Sequence, residues 1–253
     1  IMGILNVTPD SFSDGGKFNN LDAALRHAEE MVEEGADIVD IGGESTRPGH
    51  IVISEEEEIA RVVPIVEAVK AHFDVPVSID TYKGNVAEAA LQAGADLVND
   101  IWGFKFDKKT ALMTAKYNAA CCLMHNKDEA VYNDFLEDMV SEMAECVKIA
   151  REAGVVDDKI MLDPGVGFGK TYEMNLAAIN HVDVLHRLGF PILLGTSRKS
   201  VIGNTLNLPA DQRVEGTLAT TVIGVMKNCA FVRVHDIKEN KRIIQMTKAI
   251  LAH

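Results

Sequence analysis

Aromatic residues are scarce in this chain, at 6% of 253, with a single tryptophan. Basic residues are outnumbered as well: 25 Lys and Arg face 38 Asp and Glu, giving a formal charge of −13. No Lys/Arg stripe is present, so a nucleic-acid or anionic-membrane partner is excluded, whereas a small anion needs only a few converging basic groups. No apolar run reaches the roughly 18 residues of a membrane span, and "IMGILNV" has neither the charged flank nor the cleavage site of a signal peptide. The four cysteines show no paired spacing, and Cys121 and Cys122 are neighbours pointing to opposite faces of an expected strand. They read as reduced thiols, which places the protein in the cytoplasm. Because the chain opens inside an apparent strand, a natural N-terminal segment is expected to precede Ile1.

What is abundant is alternation. Short β-branched runs, "IMGILNV", "DIVDIGG", "VPVSID", "LVNDIW", "AACCLMH", "KIMLDP", "PILLGT" and "FVRVHD", are separated by amphipathic stretches with helical spacing, such as "LDAALRHAEEMVEE" and "YNDFLEDMVSEMAECVKIAREA". The count is eight of each. Several helix ends repeat one punctuation, a glycine followed at once by the next strand: Gly35, Gly94, Gly154 and Gly189. Ser54 with Glu57 fits a capping box. No linker interrupts the series, so residues 1–253 are expected to be one α/β domain, a single TIM (β/α)8 barrel, with an open doubly wound sheet as the alternative.

In a TIM barrel, chemistry sits at the C-terminal strand ends. Those ends read Asn6; Glu44, Thr46 and Arg47; Asp80; Asn99 and Asp100; His125; Asp163; Thr196 to Lys199; and Arg233 with His235. Helix caps explain some of these, but not Arg233, which lies within a strand pattern. Arg233 and His235 are two apart and share a face, an arrangement suited to phosphate. "DPGVGFGKT" imitates a P-loop, but the required first glycine is Pro164. His125 and His235 lack a second ligand at zinc spacing, and a lone strand-end His is more often a hydrogen-bonded core residue. The run Glu55 to Glu58 opens a helix where anions favour the dipole.

With these blocks in order, "MGILNVTPDSFSDGG", "DIVDIGGESTRPG", "VSIDTYK", "VNDIWG", "LDPGVGFGKT", "LLGTSRKS" and "VRVHD", the chain closely resembles the dihydropteroate synthase family of pterin-binding TIM-barrel enzymes over almost its whole length. The resemblance implies condensation of 6-hydroxymethyl-7,8-dihydropterin pyrophosphate with para-aminobenzoate, releasing pyrophosphate. It implies a pterin pocket of Asp80, Asn99, Asp163 and Lys199. It further implies a para-aminobenzoate pocket of Phe12, Thr46, Pro48, Phe168 and Ser200, and a pyrophosphate site of Asn6, Arg47, Arg233 and His235. Asn6 would also ligate Mg²⁺. Asp10, on the first loop, and Lys199 would be catalytic, with Asp10 stabilising positive charge while the loop excludes water. A homodimer is the implied assembly. The stretches after Gly49 and His125 match this family only loosely. A corrinoid-linked pterin methyltransferase would lack a pyrophosphate to hold, and a non-catalytic relative would have lost lid or anion-site residues that this chain retains.

Overall fold

A computed structural model describes residues 1–7, 17–45 and 52–253, with the side chains of residues 17–20 outside the description. Eight parallel strands carry the order β6-β5-β4-β3-β2-β1-β8-β7. They are β1 (Met2–Asn6), β2 (Ile38–Gly42), β3 (Val77–Asp80), β4 (Leu97–Asp100), β5 (Ala120–Met124), β6 (Ile160–Asp163), β7 (Leu193–Leu194) and β8 (Phe231–Val234). A parallel bridge between Leu162 and Ile192 joins β6 to the start of the β7 segment and brings the sheet round on itself. All eight expected strands are present, and the open-sheet alternative falls. "PILLGT" contributes only a two-residue strand, Leu193–Leu194, preceded by the single bridge at Ile192.

Among the described residues there are nine α-helices rather than eight. They are α1 (Lys17–Glu34), α2 (Glu55–His72), α3 (Gly84–Gln92), α4 (Lys108–Lys116), α5 (Phe135–Ala153), α6 (Tyr172–Asn180), α7 (Ser200–Leu206), α8 (Val214–Met226) and α9 (Ile237–Leu251). The extra element is α7, which opens directly after Lys199 and ends at Asn207 in the left-handed region. The four glycine stops hold: Gly35, Gly94, Gly154 and Gly189 all have φ between 82° and 108°. The capping box forms on one side only. Ser54 Oγ accepts from the Glu57 amide at 3.2 Å, but the Glu57 carboxylate pairs with Arg61 one turn on.

Strand alternation divides the core in two. Outward residues such as Leu5, Val39, Ile79, Val98, Leu123 and Leu162 pack in the large cluster beneath the helices. Inward residues Met2, Ile38, Leu97, Cys122, Met161 and Leu193 form a separate apolar plug at the N-terminal end of the barrel. Cys121 and Cys122 therefore do face opposite ways, one in each cluster. Two residues further along several strands the inward positions turn polar: Asp40, Asn99, Asp163 and Arg233. The barrel is thus plugged at one end and carries charge towards the other.

Candidate active site

Above the plug lies a cavity of about 580 Å³, lined among others by Asn6, Asp80, Asn99, Asp163, Lys199 and Arg233. Phe168, Ser200 and His235 line the same cavity. Nine of the site residues that the resemblance implies therefore meet in one place, although they come from five strands and the segments that follow β6, β7 and β8. The rest of that set, Asp10, Phe12, Thr46, Arg47 and Pro48, lies outside the described residues.

Arg233 is fixed from below. Its Nε donates to Asp40 Oδ2 at 2.6 Å, and its Nη2 to Asp80 Oδ2 at 2.6 Å. Asn99 Nδ2 also donates to Asp40 Oδ2, at 3.2 Å. Burial disfavours the guanidinium's charge, but Asp40 and Asp80 outweigh it and hold the Arg233 pKa above its ordinary value. Asp80 moves the other way. Burial, reinforced by Asp40 and Glu58 and opposed by Arg233, pushes it up to about 7. Among the described residues the buried second oxygens of Asp40 and Asp80 have no hydrogen-bond partner, so the floor retains acceptor capacity.

Asp163 and Lys199 form the other polar wall. Burial raises the Asp163 pKa, opposed by Lys199, while burial lowers Lys199 to about 8, opposed by Asp163. Asp163 Oδ1 accepts from the Gly165 amide at 2.7 Å, which fixes the carboxylate as its strand ends. Gly195 keeps the wall open: a Cβ there would stand 3.1 Å from Asp163 Oδ2. Lys199 Nζ donates to Val166 O and lies 4.8 Å from the centre of the Phe168 ring. Ser197 Oγ accepts from the His235 amide at 3.2 Å and lies 3.0 Å from His235 Nδ1.

Not every strand-end residue faces the cavity. Asp100 alternates outward, where its Oδ1 accepts from the Trp102 amide at 2.7 Å, and burial raises its pKa to about 7. Thr196 also faces away and pairs with Thr220 at 2.6 Å. His125 is fully buried between Glu142 and Lys170, as the core reading of a lone strand-end His implies. Glu44, by contrast, lines the cavity and also belongs to a buried group in which its carboxylate and that of Glu58 each lie 2.7 Å from Lys83 Nζ. Burial opposes the Lys83 charge, yet these two carboxylates keep its pKa raised.

Sequence reading missed Asp40 because attention went to strand ends, and Asp40 lies two residues before one. The signal was available, since a carboxylate on the inward phase of "DIVDIGG" needs a cationic partner. Taken together, the cavity offers paired carboxylates, an amide and an ammonium, a set that can grip a flat heterocycle rich in adjacent N–H donors and carbonyls.

Comparison with known proteins agrees with that chemistry. Residues 2–235 match the family described as pterin binding enzyme. The chain belongs to the pterin-binding enzyme family. Within that family it is 63% identical over 252 residues to the dihydropteroate synthase of Clostridium beijerinckii, covering 99% of this chain and 94% of that one. It is 55% identical to the Bacillus subtilis enzyme of the same name over 99% of this chain and 88% of that one. Among solved structures, a Clostridium difficile dihydropteroate synthase crystallised with pteroic acid superposes with a TM-score of 0.96 at 52% identity, covering 98% and 95% of the two chains. The Xanthomonas albilineans dihydropteroate synthase with 4-aminobenzoic acid gives 0.95 at 37% identity, covering 100% and 93%. The chain spans 88–95% of these relatives' lengths, and its cavity occupies the C-terminal strand ends, where TIM-barrel enzymes carry their chemistry.

Proposed function

We infer that this chain catalyses the dihydropteroate synthase reaction, a transfer of the dihydropterin methylene group from pyrophosphate to the amine of para-aminobenzoate. The observation that carries this reading is 63% identity to a dihydropteroate synthase along 99% of the chain. In the reaction the methylene C–O bond breaks and its electron pair leaves with pyrophosphate. The arylamine lone pair forms the new C–N bond, and the nitrogen then loses a proton. No observation favours a corrinoid-linked methyltransferase.

The pterin is assigned to Asp80, Asn99, Asp163 and Lys199. Asp163 accepts from the adjacent N–H groups of the amino-pyrimidinone edge, and Lys199 donates to the carbonyl and ring nitrogen. A ligand carbonyl replacing Val166 O as acceptor keeps the Lys199 ammonium satisfied throughout. The arylamine ring is assigned to Phe168 and Ser200, with Phe12, Thr46 and Pro48. The pyrophosphate is assigned to Asn6, Arg233 and His235 with Arg47. Asp10 is assigned to stabilising the cationic methylene as pyrophosphate departs, with the first loop excluding water.

Among the described residues no three His, Cys, Asp or Glu side chains converge as a metal cage. The donor set fits a Mg²⁺ that keeps phosphate and water oxygens and takes the Asn6 amide oxygen. When bound, the ion neutralises charge on the departing pyrophosphate.

A homodimer is the proposed assembly. Helices α8 and α9 pack side by side, and Met226, Met246, Ile250 and Leu251 are exposed on them, an apolar surface that a second copy would cover. Sedimentation at micromolar concentration tests it. Among the described residues no helix is long and apolar enough to cross a membrane, and the four unpaired cysteines support a cytosolic setting.

The deciding assay measures pyrophosphate release from the pterin pyrophosphate with Mg²⁺, with and without para-aminobenzoate. Release that yields dihydropteroate supports the synthase. Pterin binding without release under either condition defeats it.

A further inference from the structure

The loop that follows β6, residues 164–170, reads "PGVGFGK" and folds around its own last side chain. Gly165, Gly167 and Gly169 have φ of 67°, 91° and 53°, left-handed conformations that glycine adopts at little cost. Lys170 Nζ occupies the centre. It donates to Gly165 O at 2.9 Å, to Phe168 O at 3.0 Å and to His125 Nδ1 at 2.8 Å, and His125 O stands at 3.4 Å. Among the described residues no carboxylate pairs with Lys170. A buried ammonium held only by neutral acceptors is an expensive arrangement, retained where geometry matters.

The polar chain continues away from the cavity. His125 Nε2 lies 2.9 Å from Glu142 Oε2 on α5, and Glu142 Oε1 accepts from Lys127 at 2.6 Å. Burial, with Lys170, Lys105 and Lys127 nearby, depresses the His125 pKa to about 2. The ring is neutral, so Nε2–H donates to Glu142 and Nδ1 accepts from Lys170. Burial likewise lowers Lys170 to about 7, with Asp163 and Glu142 opposing and Lys199 and Lys105 reinforcing. Tyr132 closes the loop from outside by donating to Gly169 O at 2.7 Å.

What this loop presents to the cavity is Gly167 and Phe168, and Val166 O holds Lys199. Asp80, Asn99 and Asp163, in contrast, are set by strands. We propose that Lys170, braced by His125 and Glu142, is a positioning residue that sets the Phe168 wall of the arylamine subsite. Without its ammonium, the Gly165 and Phe168 carbonyls lose their buried donor and the loop loses the reason for its fold.

The proposal rests on the assignment of Phe168 to para-aminobenzoate, and the test separates the two. Phe168→Ala, Lys170→Met and Glu142→Gln are compared with the parent enzyme for the KM of para-aminobenzoate, the KM of the pterin pyrophosphate, and Tm. Lys170→Met is expected to raise the arylamine KM at least tenfold while the pterin KM moves less than threefold. Glu142→Gln, a change at a partly exposed carboxylate that leaves the loop itself intact, is expected to raise the arylamine KM two- to fivefold. An arylamine KM unchanged in Lys170→Met, or in Glu142→Gln should Lys170→Met fail to fold, overturns the proposal. Equal rises in both KM values, tracking a fall in Tm, overturn it too. If Phe168→Ala itself leaves the arylamine KM unchanged, the assignment of the subsite is what has failed.

Discussion

Arg233 on β8 donates through Nε to Asp40 Oδ2 on β2 at 2.6 Å. β1 separates the two strands in the sheet, so this contact lies inside the barrel rather than along a strand edge. Asp40 is fully buried, and Arg233 is therefore oriented by a residue that makes no approach to solvent. Removing one partner of a buried ion pair leaves the other uncompensated, which typically destabilises by about 3–5 kcal/mol. Because Asp80 remains on Nη2, Asp40→Ala is expected near the lower end, about 3 kcal/mol, together with a fall in kcat/KM as the guanidinium loses its orientation. Urea unfolding and steady-state kinetics check both. A variant as stable and as active as the parent would remove Asp40 from the site.

Asp100 gives a pH prediction with a definite sign. Its folded pKa is raised from 3.8 to about 7 by burial, so across that window the native state holds a proton that the unfolded state has released. Stability from this group is highest at low pH and declines as pH rises towards 7, levelling above it. Asp100→Asn cannot ionise and should flatten the decline. Relative to the parent, the variant is expected to gain stability on going from pH 5 to pH 8, read from urea midpoints at the two pH values. Asp80, with a similar elevation, leaves a residual slope in the variant.

Asp163→Asn separates binding from folding. The carboxylate is buried and its ionised form is disfavoured there, so replacing it relieves a desolvation penalty while placing an NH₂ where the pterin's donors must dock. Pterin affinity is expected to fall by at least a hundredfold, since a donor facing a donor leaves both unpaired. Tm is expected to stay within a few degrees of the parent. Titration calorimetry and thermal melts give the two numbers independently. A fall in Tm that matched the loss in affinity would show that Asp163 is structural first.

The barrel was legible because its signals are local. The glycine stops at 35, 94, 154 and 189 are chain-neighbour effects, and each appears where the next strand begins. The cavity residues were legible because strand alternation carries Asp80, Asn99, Asp163 and Arg233 to one side without knowledge of distant contacts. What escaped was long-range. Asp40 acquires its meaning from a residue 193 positions away. Lys83 stands at the head of α3, yet it joins Glu44 to Glu58. Lys170 sits in a sequence whose Gly-Lys-Thr suggests a phosphate loop. In the fold its ammonium turns inward to carbonyls, with His125, 45 residues away, completing its cage. No periodicity encodes such a contact.

Two glycines with similar backbones make a final test of how the β6 loop is held. Gly165 and Gly189 have φ of 67° and 82°, so alanine pays the same left-handed penalty at either, about 1 kcal/mol. Their surroundings differ. A Cβ at Gly189 meets nothing within 4 Å, whereas one at Gly165 would stand 1.8 Å from His125 O, a backbone atom that cannot rotate away. Gly189→Ala is therefore expected to lose only about 1 kcal/mol with activity kept. Gly165→Ala must push the loop off the segment after β5, breaking the Lys170 contacts and displacing Phe168, with a loss above about 4 kcal/mol. Denaturant unfolding of the two variants side by side decides the matter. Equal losses would mean that the close approach of Gly165 to His125 does not hold in solution, and the cage around Lys170 would go with it.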